Sequence, residues 1–170
     1  MTRYAALLRA VNVGGTGKLP MTDLRALCRK AGFADVATYI QSGNAVFRTE
    51  LEAAEAQAAL EAELQAALGQ PVGVFLRDSL ALGKILAENP FPGAPPAQVA
   101  VLFLAGAPAP DPASRARGQT DEEIVAGASE LYIRYPSGMG RSRLKLPEMA
   151  EGTARNLRTV AKLADMLAAD

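Results

Sequence analysis

A chain of 170 residues, 49% hydrophobic and 21% charged, has room for one domain or two small ones and enough apolar surface for an ordinary core, which excludes global disorder. With no histidine and a single cysteine, it cannot use His-based acid–base catalysis, a Ser-His-Asp triad, a His or thiolate metal site, or an internal disulfide framework. The 18 basic and 18 acidic side chains cancel, yet residues 1–48 carry 7 basic and 2 acidic, 49–133 carry 4 and 12, and 134–162 carry 7 and 2. Two basic ends therefore flank an acidic middle. This pattern fits charges segregated onto solvated faces, and it also fits an anion site built from both ends. No apolar run reaches the roughly 20 residues that span a bilayer, and the first residues read as a strand rather than a signal peptide. One cysteine suits a reducing compartment, so the expected location is the cytoplasm, with no membrane contact.

Residues 3–11 are apolar with β character and end in the turn-rich stretch Asn12 to Lys18. Pro20 stands where a helix starts, Met21, Leu24, Leu27 and Cys28 fall at helical spacing, and Gly32 stops the run. Asp35–Gln41 predicts a strand, Ser42-Gly43-Asn44 a tight turn, and Ala45–Arg48 its hairpin partner. Residues 51–68 predict a helix with Leu60, Leu64 and Leu68 on one face; Pro71 breaks it, and Val72–Leu76 is a further strand. The order βαββαβ is that of a ferredoxin-like unit.

After Asp78 a short helix runs to Glu88, and a Pro-rich connection covers 94–97. Val99–Leu104 is an apolar strand, Ala113–Arg117 one or two helical turns, and Glu123–Ala126 with Leu131–Tyr135 a hairpin. Ser137–Lys145 is a basic loop. Gly152 or Thr153 is expected to open a final amphipathic helix through Leu157, Val160, Leu163 and Leu167. The expected architecture is α+β: two packed ferredoxin-like subdomains, residues 1–78 and 79–170, the second incomplete and lacking its last strand.

The segment from Arg9 to Asp23 invites comparison with a phosphate-binding loop. Gly17-Lys18 is present, but Asn12 and Leu19 occupy positions that need Gly and Ser/Thr, so a standard nucleotide triphosphatase is rejected. Gly14, Gly15 and Gly17 either make a tight turn or offer backbone N–H groups to an anion. Gln41, Ser42 and Asn44 place three uncharged polar groups together. Gly138 to Arg143 has the make-up of a cationic loop. Thr153-Ala154-Arg155-Asn156 is expected to open the last helix, with Thr153 as N-cap and Arg155 opposing the macrodipole. Cys28 belongs with the core, and Asp121-Glu122-Glu123 with a solvated strand edge.

At these motifs a resemblance emerges. Leu7-Leu8-Arg9-Ala10-Val11-Asn12-Val13-Gly14-Gly15, Thr38-Tyr39-Ile40-Gln41-Ser42-Gly43-Asn44, Asn89-Pro90-Phe91, Gly140-Arg141-Ser142 and Thr153-Ala154-Arg155-Asn156 resemble the hallmarks of one bacterial family, domain of unknown function 1697. The resemblance implies a two-subdomain α+β fold with ferredoxin-like elements and carries no reaction or cofactor with it. Ala10 stands where the family usually has Gly, and Leu157 where it usually has Trp.

The functional expectation is a small anionic ligand, phosphorylated or nucleotide-like, in a basic cleft between the subdomains, with no cofactor and no metal. The candidate ligand-binding residues are Arg9, Asn12, Gly14, Gly15, Gln41, Ser42, Asn44, Arg141, Ser142, Arg155 and Asn156. Any chemistry there would rest on Arg and backbone N–H electrostatics, with Tyr39 or a carboxylate moving protons. Two other readings stay open: a nucleic-acid-binding sheet face, against which a pI near 6.4 and few aromatics count, and a structural or oligomerisation module.

Overall fold

The computed structural model describes residues 1–11, 18–40 and 42–169. The chain divides into one unit of Met1–Leu82 with Leu163–Asp170 and another of Gly83–Lys162.

The first unit holds β1 (Thr2–Leu8), α1 (Met21–Lys30), β2 (Ala34–Thr38), β3 (Asn44–Thr49), α2 (Ala53–Leu68) and β4 (Val74–Asp78). Its sheet has the order β2-β3-β1-β4 with antiparallel neighbours, the ferredoxin-like arrangement. Register follows burial: Tyr4, Ala6 and Leu8 of β1, with Phe47, Val74 and Leu76, line the core. Leu24 and Cys28 of α1, four apart, and Ala56, Leu60 and Leu64 of α2, also at four-residue spacing, cover it. Each fully buried leucine contributes roughly 1.5–3 kcal/mol. Phe33 stacks on Phe47 with ring centroids 4.0 Å apart. Cys28 is completely buried, and that burial pushes its thiol up to about 12 although Arg29 pulls the other way. It packs as a small core residue. Asp23 in the first turn and Arg29 and Lys30 in the last complement the α1 dipole.

The chain continues into α3 (Ser79–Ala87), where the Asp78 carboxylate accepts the Ala81 N–H at 2.8 Å as an N-cap. The second sheet comprises β5 (Val99–Phe103), β6 (Glu123–Ala126), β7 (Glu130–Arg134) and β8 (Thr153–Asn156) in the order β6-β7-β5-β8, and α4 (Leu157–Ala168) follows. This repeats the first sheet strand for strand. Short 3-10 turns, at Pro112–Arg115, Met139–Arg141 and Pro147–Ala150, stand where the first unit has its two helices. Pro112 and Pro147 each open such a turn, at a position where the missing N–H would have no helical partner. The core here is Leu102, Leu104, Leu131, Ile133, Leu144 and Leu146.

The expectation that the second half lacks its last strand is corrected by β8. Thr153 and Arg155 are buried while Ala154 is exposed, an alternation of period two, and Arg155 pairs with Val101 of β5. The helix begins only at Leu157. Its cap is Asn156, whose Oδ1 accepts the Thr159 N–H at 2.9 Å, and not Thr153. At the other end of α4, Arg3 of the first unit donates to the carbonyls of Met166 and Leu167, each at 3.0 Å, and to that of Ala169. A cation there meets carbonyls left without helical partners. Among the described residues, no helix is long and apolar enough to cross a membrane.

Candidate functional site

In the first unit the chain leaves β1 gripped on both sides. The Leu8 N–H donates to the Gly43 carbonyl and the Arg9 N–H to the Gly73 carbonyl, both at 2.9 Å. These bonds deliver Arg9 and Ala10 to the end of the sheet beside the β2–β3 hairpin. Asn44, fully buried, holds that hairpin: its amide Nδ2 donates to the Tyr39 carbonyl at 3.0 Å and to Ser42 Oγ at 2.9 Å. Gly43 has φ +88, and a Cβ there would fall 2.5 Å from Val11 Cγ2, so both backbone and packing demand glycine.

Two residues at this end occupy the left-handed region without being glycine: Ala10 at φ 57 and Ile40 at φ 50. Strain of this kind costs on the order of 1–3 kcal/mol per residue and concentrates at sites where geometry serves a purpose. It also explains why Ala10 is a departure from a usual glycine, since glycine takes such a φ freely. Arg9 is half-buried, and among the described residues its guanidinium, the buried Nε included, has no hydrogen bond or ion pair. The structure thus brings Arg9, Ser42 and Asn44 together. Asn12, Gly14, Gly15 and Gln41, with Gly17, lie outside the described residues.

In the second unit the candidates hold different positions. Arg141 is exposed in its 3-10 turn, without a side-chain partner among the described residues. Ser142 is engaged: its hydroxyl donates to Glu122 and accepts the Leu144 N–H at 3.1 Å. Arg155, expected in the first turn of a helix, is a buried strand residue, so the opposing macrodipole does not apply. Its Nη1 donates to Thr153 Oγ1 at 2.6 Å and to the Ala154 carbonyl at 2.9 Å, and desolvation lowers its pKa to about 10, leaving it charged at neutral pH. Asn156 caps α4.

Glu122, expected on a solvated edge, is instead buried at 5% exposure and organises the loops around it. Its carboxylate accepts from Ser142, from the Thr120 N–H at 2.7 Å and from the Thr120 hydroxyl at 3.2 Å. Ser137 donates to the neighbouring Asp121, a second tie between the same two loops. The bond from Ser142, then that from the Thr120 backbone, holds the Glu122 carboxyl at about 2 against an ordinary 4.5. Because the folded-state value is depressed, this stabilisation is complete above about 4.5 and is lost as pH falls toward about 2. Glu122→Gln should therefore flatten the loss of stability between pH 5 and 2, read from unfolding midpoints across that range. A variant as acid-sensitive as the wild type would show that other carboxylates control it. No local sequence pattern marks Glu122, because Ser142 lies 20 positions away.

No match is found among curated proteins. The conserved bacterial protein SP0830 from Streptococcus pneumoniae is similar in structure, at 25% sequence identity with a TM-score of 0.79 over 98% of each chain. With the family model described as "Protein of unknown function (DUF1697)" matching residues 1–132, the chain belongs to that family.

Proposed function

We propose that the chain binds a small anionic metabolite, phosphorylated or nucleotide-like, at the end of β1 in the first unit, with Arg9 as the principal cation. The observation that supports this reading is Arg9, whose backbone is tied to the sheet end and whose buried Nε has no acceptor among the described residues. A buried donor left unmade costs about 1–3 kcal/mol, which a bound anion would recover while gaining a charge-assisted bond. Asn12, Gly14 and Gly15 come shortly after Arg9 in the sequence, and Gln41 precedes Ser42; they are the proposed further contacts. Backbone N–H groups of a Gly-rich sequence can suit phosphate oxygens.

A nucleic-acid-binding sheet face has less support. Tyr4 to Leu8 of central β1 and Phe47 of β3 are all buried, leaving these strands without an open aromatic for base stacking. Thermal-shift measurements against phosphorylated metabolites and nucleotides test the proposal, because a ligand that binds only the folded state raises its stability. At least one such compound should raise the melting temperature; a uniform absence of shifts contradicts the reading.

A further inference from the structure

The second unit carries a groove of about 630 Å3 that the Arg9 reading does not use. Its polar wall is cationic: Arg115, Arg117 and Lys145, beside Leu146 and Pro147. Arg117 and Lys145 are held face to face by an isolated antiparallel bridge, with the Arg117 N–H donating to the Lys145 carbonyl at 2.9 Å and the reverse bond at 2.8 Å. Residues directly opposed in this way carry their side chains on one face with Cβ atoms roughly 5 Å apart, and like charges there repel. Burial alternates from Arg143 to Glu148, which turns Lys145 outward while Leu144 and Leu146 enter the core. Neither Arg117 nor Lys145 has a side-chain hydrogen bond or ion pair among the described residues. Glu148, three positions beyond Lys145, is already bonded to Arg115 at 3.0 Å. That bond uses a single N–H of the five on the Arg115 guanidinium.

We propose that this groove is a second anion site, built for a phosphate or diphosphate group. The backbone bridge fixes two cations side by side at an electrostatic cost, and a bound anion converts that cost into attraction. Three cations exceed what a single carboxylate would balance, whereas a diphosphate supplies several charges and enough oxygens for two guanidinium forks. The volume is in the range of small-molecule pockets, wide enough for a diphosphate ester.

The test titrates the full chain with inorganic pyrophosphate by calorimetry, at low and at physiological salt. The wild type should bind, more weakly at the higher salt. Arg117→Gln and Lys145→Gln should each weaken the groove component roughly tenfold, and the double variant should abolish that component. Both single variants should melt at or slightly above the wild-type temperature without ligand, because each relieves the opposed charges. Arg9→Gln serves as the control, and the groove component should persist in it. A wild type that does not bind pyrophosphate, or a double variant that binds as the wild type does, overturns the proposal. Binding lost in Arg9→Gln but intact in the double variant also overturns it, while leaving the Arg9 site standing.

Discussion

Gly152→Ala should destabilise the second unit by about 3 kcal/mol, at the upper end of what overpacking usually costs. A Cβ at this position would lie 2.4 Å from the Phe103 carbonyl oxygen, 3.0 Å from Leu104 Cδ2 and 3.1 Å from Leu102 Cδ1. The first contact is with backbone, which no rotamer change relieves. Phe103 also pairs with Thr153, the next residue, so the added methyl would lever β8 off β5 where their ladder begins. Urea unfolding measures the effect as a lowered midpoint. A variant within about 0.5 kcal/mol of the wild type, the range of ordinary surface substitutions, would show that β8 does not seat against β5 in this way.

Arg155 carries the second large effect, and two substitutions separate its components. Arg155→Ala removes a buried side chain together with its bonds to Thr153 Oγ1 and the Ala154 carbonyl and leaves a cavity, for a loss on the order of 2–4 kcal/mol. Arg155→Met keeps most of the volume and removes a charge that is costly to bury, as its lowered pKa records. The Met variant, which loses the same two hydrogen bonds but leaves no cavity, should therefore be clearly more stable than the Ala variant in thermal melts. If Met is as damaging as Ala, the guanidinium's charge, and not its packing, holds β8 in place.

Much of the first unit was legible because its elements announce themselves locally. Leu60 and Leu64 mark one face of α2, and the polar Ser42-Gly43-Asn44 run interrupts two β-rich segments at the hairpin. The four residues of β8 defeated the same reasoning. Thr153 ahead of an amphipathic run satisfies a helix-start rule, and four residues are too few for alternation to outweigh it. What decides their conformation is β5, some fifty positions upstream, together with Asn156, which takes the cap. Arg9 stood out as a cation at a strand end before a Gly-rich turn. The burial of Glu122 and the opposition of Arg117 and Lys145 did not, since each depends on a partner at least 20 positions away. Contacts of that range are set by the tertiary fold and leave no periodic trace.

The measurement that tests the central claim most directly compares wild type and Arg9→Gln by thermal shift, with and without the phosphorylated compounds that stabilise the wild type. The Arg9 guanidinium makes no bond among the described residues, so the unliganded variant should melt at or above the wild-type temperature. The stabilisation by ligand should be lost. A variant that keeps the full ligand-induced shift, or one that melts far below the wild type before any ligand is added, would contradict the assignment of Arg9 as the anion-binding residue.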